Sequence, residues 1–484
     1  MKAKVGPSIS STASTRRHFL CSSSATVLSA ASVGAANSLT PGLPARSASR
    51  LLGANDRINI GSIGCGGMGT GHIRSFMQQS EQKQDIQIVA VSDIYSSRKE
   101  RARTVAKLAE KDAHHDYREL LARSDVDAVF IATPDHWHAQ MAIDALAAGK
   151  DVYLQKPITY TIDEARRVAE AAAKHNRILQ VGVQGVSDPR SQIARQIIEQ
   201  GEIGELLWAQ ATSSRNSLYG EWNYVIDPEG SPETIDWNRW LGPAPKRRFS
   251  AERYFRWRKY WDYSGGIATD LYYHSLGPLL VAMGPQFPVA VSATGGIYIQ
   301  KDREVPDTYS TVIEYPEFYI SLSGSMANAA AVRYHSRVIY GHKGTILFED
   351  NKVLVVPERL EARRAGAPIA DPLNAVKTYD TPPVDNPHRL HTDNFFACVR
   401  SRKRPNLHPE LGYQMMVAIR LGVDSYRERK VKFFDPRRQR VVDKASPRPA
   451  YEGSGQNFPS TPTSIRTRAT LMPFGNCCWR SGAW

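Results

Sequence analysis

The sequence predicts an α/β protein in two domains, the first built on a parallel, doubly wound sheet. Three observations lead there. Apolar strand-like runs alternate with helical stretches from residue 57 to residue 184, a glycine-rich turn joins the first run to the first helix, and further β-branched and aromatic runs follow beyond residue 185. At 484 residues the chain is too long for one ordinary core, and two domains with terminal tails fit its length best.

The first element is the apolar run Arg57-Ile-Asn-Ile-Gly-Ser-Ile63. It meets Gly64-Cys65-Gly66-Gly67-Met68-Gly69 and then a helical stretch through Met77. The glycines fall as G-x-G-x-x-G, a spacing with a mechanical meaning. Gly64 permits a tight turn, Gly66 lets the backbone approach a pyrophosphate, and Gly69 allows the helix to pack closely, so that phosphates sit at a helix N-terminus. A second strand, Ile86–Ser92, ends at Asp93, 24 positions after Gly69 and near the expected offset of about 20 for a carboxylate that binds ribose hydroxyls. That carboxylate would repel a 2′-phosphate, which favours NAD, with NADP left open through Arg98. Asp93 also fits an N-cap of the following helix.

The alternation continues with a strand at Ala128–Ala132, a helix from about His138 to Ala148 stopped by Gly149, and a strand at Asp151–Leu154. Thr161-Ile-Asp-Glu164 is a capping box opening a helix to about His175, and Ile178–Val183 is the next strand. In the second half, Val289–Ala293, Thr308–Ile313, Phe318–Leu322 and Arg337–Tyr340 read as strands.

With Thr133-Pro134 through His138 after the third strand, Lys156-Pro157 after the fourth, and Asp270 with His274 further on, the sequence resembles the Gfo/Idh/MocA family of glucose–fructose oxidoreductases and inositol dehydrogenases over residues 57 to about 435. The resemblance implies an N-terminal Rossmann domain (57–184) and a C-terminal α/β domain (185–444) on a large open antiparallel sheet that often forms the oligomer interface, hence a homodimer or homotetramer. It places Thr133, Pro134 and His138 along the nicotinamide side. The family's usual Glu-Lys-Pro is Gln155-Lys156-Pro157 here, which removes a possible partner of Lys156 and leaves its protonation state open.

Hydride transfer from a carbinol carbon needs a base for the hydroxyl proton and a group that steadies the alkoxide. Asp270 and His274, four apart at an apparent helix N-terminus, project from one face. His274 is the expected acid/base, and Asp270 either orients it or binds a substrate hydroxyl. Lys156, held extended by the proline after it, would polarise the same oxygen. A structural reading stands beside this: a helix-supporting His–Asp pair and a surface lysine. His136/His138 and His388/His391 each lack the third and fourth ligands of a metal site, so no metal is expected. Five tryptophans, at 222, 237, 240, 257 and 261, lie among Arg253, Tyr254, Arg256 and Arg258. They suit either stacking on sugar rings or clamping a loop to the core.

The net charge of +14 gathers at the termini and in short runs such as Arg402-Lys403-Arg404, without a nucleic-acid reading module, so no nucleic-acid partner is expected. The five cysteines form no disulfide framework, and no stretch resembles a spanning helix, so no stable membrane insertion is expected. Ser14-Thr-Arg16-Arg17-His-Phe-Leu20 and the Ala/Ser-rich stretch after it resemble a twin-arginine export signal (1–36), followed by a linker (37–56). Residues 445–484 have the composition of a flexible tail. The expectation is an exported, periplasmic or extracellular NAD(P)-dependent oxidoreductase acting on a sugar or polyol and holding its cofactor tightly. The alternatives are an NAD-dependent glycoside hydrolase of the same fold, which His274-Ser-Leu-Gly-Pro resembles, and a non-catalytic sugar-binding protein.

Overall fold

The computed structural model describes residues 57–330, 336–358 and 376–445. The export signal, the linker and all but the first residue of the tail fall outside them.

The first half is a six-stranded sheet, parallel throughout, of β1 (Ile58–Ile63), β2 (Ile86–Ser92), β3 (Ala113–His114), β4 (Ala128–Ile131), β5 (Asp151–Gln155) and β6 (Leu179–Gly182), in the order β3-β2-β1-β4-β5-β6. Both faces are covered, which is why β4 and β5 are buried without interruption rather than alternating. The period of two still sorts their side chains. Phe130 and Tyr153 face α1 (Gly67–Lys83) and α2 (Ser96–Val105), while Val129, Ile131, Val152 and Leu154 belong to the opposite core, with α3 (Tyr117–Leu121), α4 (Asp135–Ala147) and α5 (Ile162–His175). The capping box forms as expected, Thr161 and Glu164 each accepting from the other's backbone amide. Two boundaries differ. α1 runs beyond Met77 to Lys83, and α4 begins at Asp135 because Pro134, as its N-cap, starts the helix directly after the β4 loop.

The second half holds α6 (Pro189–Glu199), β7 (Leu206–Thr212), α7 (Trp237–Leu241), α8 (Ala251–Phe255) and α9 (Tyr273–Met283), and then seven strands. These are β8 (Ala290–Gly296), β9 (Thr308–Glu314), β10 (Tyr319–Ser325), β11 (Arg337–Gly341), β12 (Gly344–Glu349), β13 (Lys352–Pro357) and β14 (Lys377–Asp380). Helices α10 (Pro387–Ser401) and α11 (Pro409–Glu428) and strands β15 (Lys432–Asp435) and β16 (Arg440–Val442) complete it. The ten strands form one sheet, β14-β13-β12-β11-β7-β10-β9-β8-β15-β16, antiparallel except where β7 lies parallel to β10. The sheet is therefore mixed at that junction rather than antiparallel throughout, because β7 enters it before the long excursion to α9.

Two segments tie the halves together. Helix α10 returns to the parallel sheet and packs Phe395 and Phe396 against Phe76 and Tyr153, with Arg402 paired to Asp151 at 2.6 Å. The stretch between β7 and α9 crosses the end of β2: Ser96 and Asp236 donate their amides to the carbonyls of Thr234 and Ile94 at 3.0 and 3.2 Å. Its lower part is pinned by Lys259, 1% exposed, whose ammonium reaches Glu252 (2.7 Å), Asp302 (2.9 Å) and Asn223 (3.0 Å).

Candidate active site

A cavity of about 450 Å³ opens at the carboxyl ends of β1, β2 and β4, the place where an open parallel sheet gathers ligands. The glycine turn forms one wall. Gly64 has φ +85°, and a Cβ on Gly69 would stand 1.9 Å from the carbonyl oxygen of Gly64, so neither position admits a side chain. Gly66, the N-cap of α1, and Gly67 and Met68 in its first turn face the cavity, and no side chain caps the helix there. Its free amides are an anion site. Asp93 lines the same wall. It is not an N-cap, a position that falls to Tyr95; its carboxylate accepts the amides of Cys65 (2.7 Å) and Tyr95 (2.8 Å). Two acceptor sites remain for a ribose. Arg98 lies beside it with its guanidinium 5.0 Å from the ring of Tyr254 and 5.2 Å from that of Phe255, both carried by α8.

Thr133 and Pro134 continue the lining, whereas His138 does not. Because α4 starts at Asp135, His138 turns back into the protein, its ring nitrogens 2.6 Å from the Pro157 carbonyl and 2.9 Å from that of Thr133. It braces the two loops that frame the site rather than touching what lies in the cavity. Trp257 and Arg258 close the far end.

Beyond Arg258 stands the expected catalytic group, joined in a way the sequence does not disclose. Lys156, joined to Pro157 through a cis peptide bond, reaches Asp270 Oδ1 at 2.6 Å. Asp270 thus takes the place of the missing glutamate as the partner of Lys156, while Gln155 turns away to His72 at 3.0 Å. Asp270 also accepts from Arg258 Nε (3.2 Å) and Trp222 Nε1 (3.1 Å) and lies 3.5 Å from Arg215. Three side-chain hydrogen bonds leave the carboxylate one acceptor site. It makes no hydrogen bond to His274 among the described residues. Asp270 sits in a π-helical turn, Ala268–Tyr272, that runs directly into α9, which carries His274. The His274 imidazole makes no hydrogen bond among the described residues.

Burial pushes the Asp270 carboxyl up, but Lys156, Arg258 and Arg215 outweigh it and hold the group well below the usual carboxylate range. Burial lowers the Lys156 ammonium, with Asp270 opposing. Burial, aided by Lys156, brings His274 down to about 3, so its ring is neutral near pH 7. Asp135 completes the cluster. Buried at the start of α4, it is pushed up to about 7 by desolvation against the pull of Arg258 and Lys156.

Of the expected site residues, the structure brings Lys156, Asp270 and His274 together behind Arg258, which lines the cavity and bonds Asp270, and sets Gly64, Gly66, Gly67, Met68, Asp93, Arg98, Thr133 and Pro134 around the cavity itself. Gly69 packs behind the glycine turn. Sequence reasoning missed Asp135 and Arg215. The first lies inside the Thr133–His138 motif and was legible there, whereas nothing in the sequence marks Arg215. The tryptophans divide: Trp237 and Trp240 stack at 4.8 Å and clamp the segment onto α4 through the Trp240 carbonyl, and Trp257 alone of the other three faces the cavity. Among the described residues no group of three or more His, Cys, Asp or Glu side chains is arranged to hold a metal ion.

The glycine turn, the uncapped α1 and the carboxylate at the end of β2 fit a dinucleotide along the cavity. Comparison with known proteins agrees. Residues 58–183 match the family description "Oxidoreductase family, NAD-binding Rossmann fold", and residues 195–433 match "Oxidoreductase family, C-terminal alpha/beta domain" of the same family. The chain belongs to the Gfo/Idh/MocA oxidoreductase family. Its N-terminal domain is accordingly an NAD-binding Rossmann domain. Among curated relatives, the uncharacterized oxidoreductase YrbE of Bacillus subtilis is 28% identical over 62% of this chain and 76% of its own length. Inositol 2-dehydrogenase of Burkholderia multivorans is 32% identical over 38% of this chain and 54% of its own length. The match to the inositol dehydrogenases thus spans about half their length. Among solved structures, an NAD-binding oxidoreductase from Klebsiella pneumoniae aligns with TM-score 0.59 at 20% identity, covering 78% of this chain and 98% of that one. Levoglucosan dehydrogenase in complex with NADH and levoglucosan aligns with TM-score 0.58 at 20% identity, covering 80% and 100%. These last two similarities speak to the fold.

Proposed function

We propose that this member of the family oxidises or reduces a secondary alcohol or ketone carbon of a sugar or polyol. The observation that supports it best is the adjacency of Lys156, Asp270 and His274 to the end of the dinucleotide cavity. Bound NAD supplies the hydride acceptor. The chain's residues do the rest. Asp270 fixes the Lys156 ammonium, which donates to the substrate oxygen and stabilises the developing alkoxide. His274, neutral and without a competing hydrogen bond, accepts the hydroxyl proton. Relatives named as inositol and levoglucosan dehydrogenases support a polyhydroxylated substrate.

We place the enzyme outside the cytoplasm on the strength of Arg16-Arg17, and as a homo-oligomer through its ten-stranded sheet. Free nicotinamide is scarce there, so the cofactor stays bound and is recycled by a second substrate. The deciding experiment is mass spectrometry of the nucleotide released on denaturation, followed by absorbance of the bound NAD with sugars and polyols. Stoichiometric NAD that a polyol reduces supports the proposal. Release of an aglycone without net reduction favours the glycosidase, and a protein that binds no nucleotide overturns both.

A further inference from the structure

The catalytic end of the site carries an excess of positive charge that its own residues leave uncompensated. Three cations, Lys156, Arg215 and Arg258, share the single ionised carboxylate of Asp270. The other acid in the cluster, Asp135, holds its proton up to about pH 7 and so does not reliably offset them. Exposed cations in excess are unremarkable, but these are not exposed in the ordinary way. The Arg258 side chain is 25% exposed, rests over the Trp257 ring at 4.2 Å, and has Asp270 as its one hydrogen-bond partner among the described residues, through Nε alone. Arg215 is anchored by its backbone, its amide donating to the Ser325 carbonyl at 2.9 Å, while its side chain, 47% exposed, has only the 3.5 Å approach to Asp270. Each guanidinium therefore presents most of its N–H fork unused, and a fork of parallel donors is matched by a carboxylate.

Resting on the dehydrogenase reading above, we propose that the substrate is an acidic sugar of the hexuronate class, its carboxylate seated on Arg215 and Arg258 while Lys156 and His274 address a hydroxyl-bearing carbon. Asp270 already accepts three side-chain hydrogen bonds, whereas the two forks can receive an anion without displacing any existing bond. The same occupancy improves the base. His274 is lowered first by burial and then by Lys156 and Arg215, with Asp270 opposing and the imidazole of His388 adding to the lowering. An anion on Arg215 relieves that cationic pressure and raises His274 toward the range in which it can take a proton.

The test uses the NAD-loaded protein and matched sugar pairs, glucuronate with glucose and galacturonate with galactose, measured by calorimetric binding. The acid of at least one pair is expected to bind about tenfold or more tightly than its neutral partner, with the preference weakening as salt is added. Arg215→Gln removes the preference, and Arg215→Lys, which keeps the charge without the fork, recovers part of it. Equal or tighter binding of the neutral sugars, or no binding of either member of both pairs, overturns the proposal. Hydride transfer is followed separately through NADH absorbance. Acid-selective binding without NAD reduction by any sugar would count against the dehydrogenase reading and leave anion recognition standing. NAD reduction by neutral sugars without acid preference would do the reverse.

Discussion

At the scale of the residue, the site is governed by what burial does to charge. Lys156 and Asp270 are 10% and 8% exposed, and a pair so enclosed holds only because each satisfies the other and Arg258 and Trp222 donate further hydrogen bonds to the carboxylate. Lys156→Met is expected to lower kcat by about 10²–10³, the loss typical of removing one donor to a developing oxyanion. KM and the amount of co-purified nucleotide should stay near wild type, as steady-state kinetics and nucleotide release would show. Asp135 gives a second test, through stability. Its folded pKa of about 7 stands above the unfolded value of about 3.9, so its contribution is fully present below about pH 4 and fades as pH rises through about 7. Asp135→Asn should remove that slope. Urea denaturation at pH 5 and pH 8 should find the wild type losing stability between the two relative to the variant; equal changes in both proteins would show that Asp135 is ionised in the fold.

At the scale of the element, strands and helices fix where those residues stand. The close approach of α1 to the glycine turn depends on Gly69, where a methyl would collide with the Gly64 carbonyl. Gly69→Ala is expected to abolish nucleotide retention, with no stoichiometric NAD released on denaturation, while the circular dichroism of the fold survives. The capping box of α5 sits away from the cavity and makes a contrasting case. Thr161→Ala should cost about 1 kcal/mol in denaturant midpoint analysis and leave activity per folded molecule unchanged. The π-helical turn Ala268–Tyr272 carries Asp270 and runs directly into α9, which carries His274, so the two residues do not share one regular α-helix.

At the scale of the whole molecule, the two domains legible along the chain are not independent in space. α10 comes late in the sequence yet completes one face of the Rossmann sheet, and the segment between β7 and α9 covers the nucleotide wall with α7 and α8. Phe396→Ala, in the C-terminal half, should therefore destabilise the nucleotide-binding core by about 3–5 kcal/mol, lowering NAD retention and the unfolding midpoint together. An unfolding transition confined to the second domain, with bound NAD intact, would contradict that coupling.

What the sequence determined by itself is local in origin. The G-x-G-x-x-G turn, the strand ending in Asp93, the capping box and the alternation of strands with helices each depend on neighbours within some thirty positions, and their physics is written in spacing. Lys156, Asp270 and His274 were singled out as candidates as well, through motifs set in order along the chain. Tertiary structure alone decided their relations. The pairing of Lys156 with Asp270 spans 114 positions, Arg215 enters from the end of β7, and His138 withdraws because α4 begins one turn early. Charges buried together shift one another's protonation only once folding has removed the water between them, and no spacing along a chain records that distance.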